Sequence, residues 1–181
     1  KLLAQAKMII YGVFPLKIAN KVIEEGRYVH QVFGGFIIGK LLDSLIIGLI
    51  CFVLLGFANM PYVLLVSVIV GVTNVIPFFG PFIGAIPSAF LILLSDPMKC
   101  LYFLIFVLLL QQFDGNILGP KILGDSTGLS SFWVLFSILL FGGLMGFVGM
   151  IIGVPTFAVI YRLVTEFTTW RLGKKALSGN I

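Results

Sequence analysis

"SLIIGLICFVLLGFA", residues 44–58, is apolar almost from end to end. A transmembrane β-strand would alternate polar and apolar side chains over about ten residues. This run does not alternate, and neither does "LYFLIFVLLL" at 101–110. Lipid offers no hydrogen-bond partner, so a spanning backbone must satisfy its own N–H and C=O groups, as a helix or a closed barrel. Both runs therefore read as helices, and the chain as an all-α, polytopic membrane protein.

Composition extends that reading to the whole chain. Sixty per cent of its 181 residues are hydrophobic, 10% are charged, and the mean hydropathy is +1.17. A soluble domain averages about a quarter charged residues, so this chain cannot cover itself with a polar surface. Its first partner is the lipid bilayer. The net charge of +5 raises nucleic acid as a partner, but most cations flank the apolar body. Lys1, Lys7, Lys17, Lys21 and Arg27 precede it, and Arg162, Arg171, Lys174 and Lys175 follow it. Such flanks follow from the positive-inside bias and from anionic headgroups. No nucleic-acid binding is expected, and two cytoplasmic flanks would enclose an even number of crossings. Cys51 and Cys100 have no pairing or metal-ligand spacing and read as buried small hydrophobes. His30 stands alone and reads as interfacial. The chain opens without a signal peptide or an initial Met, so a longer protein is expected.

Residues 1–32 are of mixed polarity. After Pro15, "LKIANKVIEEGRYVHQVF" sets Leu16, Ala19, Val22 and Ile23 near one face and lysines on the other, an amphipathic juxtamembrane helix. Residues 33–165 form the expected transmembrane transport domain, and 166–181 a basic cytoplasmic tail. Within the domain the apolar stretches are 33–58, closed by the "NMP" turn at 59–61, then 61–94, 100–113 and 132–164.

The second and fourth stretches would each measure about 50 Å as straight helices. One crossing needs about 30 Å, so they are too long for one span and too short for two. Both are interrupted, by "NVIPFFGPFIGAIP" at 74–87 and by "GGLMGFVGMIIGVP" at 142–155. Pro77, Gly80, Pro81, Gly84 and Pro87 break the first; Gly146, Gly149 and Pro155 break the second. Non-helical backbone at membrane depth is tolerated where it faces protein or a wet cavity. A pair of such segments points to a transporter's binding site. The other reading is proline kinks, with small residues four apart (Gly80/Gly84, Gly115/Gly119, Gly142/Gly146, Gly149/Gly153) for close helix packing. A faint internal echo links "GAIPSAFLI" at 84–92 with "GVPTFAVI" at 153–160.

Two motif matches fail on context. "GGFIIGKL" at 34–41 lacks the hydroxyl that a phosphate-binding loop needs after its lysine, where Leu41 stands, and no strand precedes it. "GDSTG" at 124–128 fits a hydrolase elbow, but no histidine follows Ser126 to complete a triad. No H-E-x-x-H is present. An enzyme is not expected, and no cofactor or metal is called for.

Lys40 and Asp43 lie three residues apart within the first span, on one helix face. Intramembrane charges pair or face a cavity, so the two form either a structural ion pair or a functional one. "QQFDGNILGPKILGD" at 111–125 is richer. Gln111, Gln112, Asp114 and Asn116 come straight off an apolar helix, followed by Pro120 and Lys121. They would line a cavity for a polar solute or a proton, or else form an aqueous loop. The cavity is favoured because the polar residues start before the glycines do.

"NVIPFFGPFIGAIP", "QQFDGNILGPKILGDSTGLSSFW" and "FGGLMGFVGMIIGVP" occur in an order and spacing that resemble the bacterial autoinducer-2 exporter family of transporters. The resemblance covers about residues 28–165 and implies the C-terminal half of a family member. It further implies a multi-pass protein of the bacterial inner membrane that assembles as a homo-oligomer. The namesake activity is export of a small polar furanone-type signal, autoinducer-2. Some relatives are described instead as sodium or lithium/proton antiporters. The characteristic family residues fall here on Asn74, Pro77, Gly80 and Pro81, on Gln112, Asp114, Asn116, Pro120, Lys121 and Gly124, and on Gly146, Gly149 and Pro155.

The expectation is thus a secondary transporter exporting a small polar solute. Its pathway would be lined by the breaker-rich segments, with Asp114 and Lys121 supplying charge or proton coupling. The alternatives are a monovalent cation/proton antiporter and a non-transporting membrane scaffold.

Overall fold

A computed structural model describes residues 2–123 and 127–178, and among them the regular structure is helical throughout. α1 (Leu2–Val13) ends before Pro15, whose extended backbone starts α2 (Leu16–Phe57). α2 is one helix of 42 residues, about 63 Å long. Residues 16–32 of the mixed-polarity segment and the first apolar stretch are therefore a single rod, with α1 separate. Val32, Phe36, Gly39, Lys40, Asp43, Ile47, Cys51 and Leu55 are its buried stripe, at the three-to-four spacing of one helix face. "GGFIIGKL" lies inside this helix.

A turn with Asn59 and Tyr62 at positive φ reverses the chain into α3 (Val63–Thr73). α3 lies against α2 at Gly48 and Gly71, where a Cβ on Gly71 would come within 3.0 Å of the Gly48 Cα. Absence of both side chains brings the two backbones together. The chain then turns over residues 74–79 and runs back as α4 (Gly80–Ser95). In this turn the Phe79 N–H donates to the Pro77 carbonyl at 2.8 Å, and Phe78 sits at φ 69°, a strained region for a bulky residue. α4 packs so closely on α3 that a methyl group on Gly80 would collide with the Thr73 carbonyl. α3 and α4 measure about 17 and 24 Å, so neither arm crosses about 30 Å of hydrocarbon alone.

Asp96 caps α5 (Pro97–Phe113), its Oδ1 accepting from the Met98 and Lys99 amides at 2.9 and 3.2 Å. α5 widens into a π-helical turn, Asp114–Leu118, where the Gly119 N–H reaches back to the Asp114 carbonyl. A short α6 (Gly119–Leu123) follows. α7 (Ser131–Ser178) is folded on itself at Gly146, whose φ of 62° and ψ of −141° leave the helical region. Residues 131–145 and 147–178 are its two arms. The Trp133 ring stacks on Phe157 at 5.3 Å, and Gly149 fits against the Phe141 carbonyl. Two apolar cores result. One joins Ile47, Cys51 and Leu55 to Val66, Val70, Ile92, Phe103, Val107 and Leu110; the other joins Phe36 to Ile138 and Val154.

Several expectations need narrowing. The first interruption spans residues 74–79 rather than 74–87, since Pro81 lies in the first turn of α4 and Pro87 within it. The second shrinks from 142–155 to Gly146, with Gly149 and Pro155 helical. Propensities measured in water overstate the breaking power of these residues, because in lipid the alternative to a helix is an unsatisfied backbone. The expected tail is helical through Ser178, and the Lys174 and Lys175 side chains lie outside the described positions. Cys51 and Cys100 are buried and free, as expected.

Candidate functional site

Four polar side chains from three elements meet between α2, the tip of the α3–α4 hairpin and the π-turn. Lys40 and Asp43 stand on the buried stripe of α2, and the Lys40 Nζ donates to the Asp43 Oδ2 at 2.6 Å. The Gly48–Gly71 contact brings the end of α3 alongside, so Asn74, the first residue of the turn, reaches the same carboxylate. Its Nδ2 donates to the Asp43 Oδ2 at 3.2 Å and to the Asp114 Oδ2 at 3.4 Å. Asp114 is the first residue of the π-turn. All four are buried, with Asp43 at 0% and Asn74 at 1% exposure. Asp43 lies about 15 Å along α2 from Phe33 and about 21 Å from Phe57, near the middle of the apolar stretch.

The charge count of this cluster is uneven. With both acids ionised, two carboxylates face one ammonium and leave one excess negative charge in a site shielded from water. An uncompensated buried charge is costly. Among the described residues, no donor group reaches the Asp43 Oδ1 or the Asp114 Oδ1, and both are buried. The buried Gln111 Nε2, one turn before Asp114, is likewise without a partner. Buried carboxylate oxygens are hard donors that suit a proton or a hard metal cation.

Other candidate residues fall elsewhere. Gln112 and Asn116 are exposed and bonded to each other, the Asn116 Nδ2 donating to the Gln112 carbonyl at 2.7 Å and to its Oε1 at 3.0 Å. Lys121 is exposed too, and the cation bonded into the carboxylate cluster is Lys40. The Pro120 side chain and the whole of Gly124 and Ser126 lie outside the described positions. Pro77 shapes the turn after Asn74, Gly80 and Gly84 let α4 lie against α3, and Pro81 stands in the first turn of α4. Gly146, Gly149 and Pro155 belong to the α7 hairpin, and none of them takes part in the cluster's hydrogen bonds.

A second polar group joins the start of α2 to the second arm of α7. The Arg162 guanidinium lies 3.9 Å from the Tyr28 ring centroid, 3.6 Å from the Glu25 Oε1 and 3.0 Å from the Glu166 Oε1. Lys21 reaches Glu166 at 3.2 Å. Lys21, Tyr28, Arg162 and Glu166 border an open groove of about 510 Å³.

A family model described as AI-2E family transporter matches residues 3–169. The chain belongs to the AI-2E family. Among relatives of this AI-2E chain, YrrI of Bacillus subtilis (strain 168) is 39% identical over 145 residues, covering 80% of this chain and 41% of that protein. YueF of the same organism is 30% identical over 148 residues, covering 82% and 40%. The "AI-2 transport protein TqsA" of Escherichia coli (strain K12) is 31% identical over 134 residues, covering 74% and 39%. The AI-2E chain thus spans about two fifths of the length of these relatives. No solved structure matches it. Multiple long apolar helices and the family together make it part of a multi-pass membrane protein.

Reading the sequence of this AI-2E chain finds Lys40, Asp43, Asn74 and Asp114 but assigns them to separate features. A usable signal was present. Each is a polar residue within an apolar element, and such groups must find one another to be satisfied in lipid. The Arg162 network was missed, although Arg162 and Glu166 stand at the pairing distance of one helix turn.

Proposed function

We propose that this chain is the ion-coupling part of a secondary transporter that binds a proton or a monovalent cation at Asp43 and Asp114. The observation that carries this reading is the pair of buried carboxylates bridged by one Asn74 amide, with a single ammonium, Lys40, beside them. A site that holds either a proton or a sodium-sized ion exchanges one for the other, which is the chemistry of cation/proton antiport or of cation-coupled export. The bacterial relatives favour the inner membrane as its location, and the family resemblance favours a homo-oligomer.

The test is made on the full-length protein in vesicles carrying a trapped pH indicator. Added sodium or lithium is expected to drive proton movement, and Asp43→Asn or Asp114→Asn to abolish it. Normal exchange in both variants would refute the reading.

Export of an autoinducer-2-like solute is a second reading, favoured by the relative whose name carries that activity. It makes the cluster the coupling site rather than the cargo site. Uptake of labelled autoinducer-2 into inverted vesicles, dependent on a sodium or proton gradient, is then expected.

A further inference from the structure

Lys40 is the one member of the cluster that a plain cation site does not need. A cation placed permanently beside two carboxylates weakens their hold on any second cation. Its surroundings do not resemble those of a purely structural ion pair. A stable buried pair requires the remaining donors and acceptors to be satisfied as well. Among the described residues, Lys40 donates to one acceptor, the Asp43 Oδ2, although an ammonium carries three donors. Its partner keeps one oxygen, Oδ1, buried and without a donor among the described residues, and so does Asp114. The two carboxylates belong to different elements and both accept from the Asn74 amide, by bonds of 3.2 and 3.4 Å at the long end of the hydrogen-bond range. The ammonium sits on a flexible four-carbon stem, so its contact with Asp43 is set by side-chain rotamers rather than by the backbone.

We propose that Lys40 is a tethered counter-ion that competes with the incoming monovalent cation for Asp43. With the site empty of cation, Nζ pairs with Asp43 and lowers the cluster's charge from two to one. A sodium or lithium ion entering between Asp43 and Asp114 takes over the Oδ2 contact, and Nζ withdraws along its stem. On release of the ion, Nζ returns. The lysine thereby keeps affinity low enough for release and prevents two bare carboxylates from facing each other in a dry site. This inference rests on the cation-binding reading above and adds a specificity-setting role for Lys40.

Binding of radioactive sodium to the purified full-length protein distinguishes the two. The wild type is expected to bind weakly. Lys40→Gln should bind roughly tenfold more tightly, because the competing charge is gone. Lys40→Arg, which keeps the charge and adds donors, should bind no more tightly than wild type. Lys40→Met carries the same expectation as Lys40→Gln should the latter fail to fold. A thermal midpoint that rises more steeply with sodium in the neutral variant than in wild type gives an independent readout. Sodium binding in wild type with equal or weaker binding in the neutral variants would overturn the role of Lys40 while sparing the cation site. No binding of sodium or lithium to wild type would overturn both.

Discussion

Asn74 and Asp43, 31 positions apart in the chain, share a buried hydrogen bond of 3.2 Å. The same amide nitrogen reaches Asp114, 40 positions further on. One small side chain at the tip of a hairpin thus joins a long helix to the π-turn. Whatever shifts that tip breaks this bridge between the two acids.

Asn74→Ala is accordingly expected to remove the bridge and leave two carboxylates facing each other with fewer donors. The loss should cost about 1–3 kcal/mol of stability, the range for buried groups left unsatisfied. Cation-driven proton movement in vesicles should fall further than stability does. Thermal unfolding and flux measured on the same preparation check both.

Asp43→Asn strands the Lys40 charge in a buried site, where losing one partner of an ion pair costs about 3–5 kcal/mol. Removing both charges, in Lys40→Met with Asp43→Asn, is expected to recover most of that loss. A double-mutant cycle in thermal unfolding checks it. Additive destabilisation would mean that the two side chains are not energetically coupled.

Gly146→Ala should destabilise the α7 hairpin by about 1–3 kcal/mol, because its φ of 62° and ψ of −141° suit glycine almost alone. Gly143→Ala is the control: Gly143 is helical, exposed, and an added methyl group would meet nothing within 4 Å. That change should be neutral or slightly stabilising. Thermal midpoints of the two variants side by side give the answer.

The helical membrane fold was legible because hydrocarbon allows so few alternatives. "SLIIGLICFVLLGFA" cannot be a barrel strand, and the lengths of 61–94 and 132–164 called for interruptions. How far each break extended was not legible. Pro87 and Pro155 carry breaking propensities from water into a medium where unwinding costs more than a kink. The site was half legible. Lys40 and Asp43 are one turn apart, so their pairing is local and readable. Asn74 and Asp114 meet Asp43 only because Gly48 and Gly71 let two helices touch, and that crossing is a tertiary fact no single segment encodes. Lys121 drew attention by its closeness in sequence to Asp114, yet it is exposed.

The reversal at Gly146 makes the arms of α7 behave like the two sides of a zip. Trp133 faces Phe157, Ser137 faces Gly153 and Phe141 faces Gly149, each tooth one helical turn from the next. A residue gained or lost between 147 and 157 would swing every later tooth by about 100°. Changes of length in this part of the chain have nowhere to be absorbed, whereas single substitutions on the outward face of either arm do.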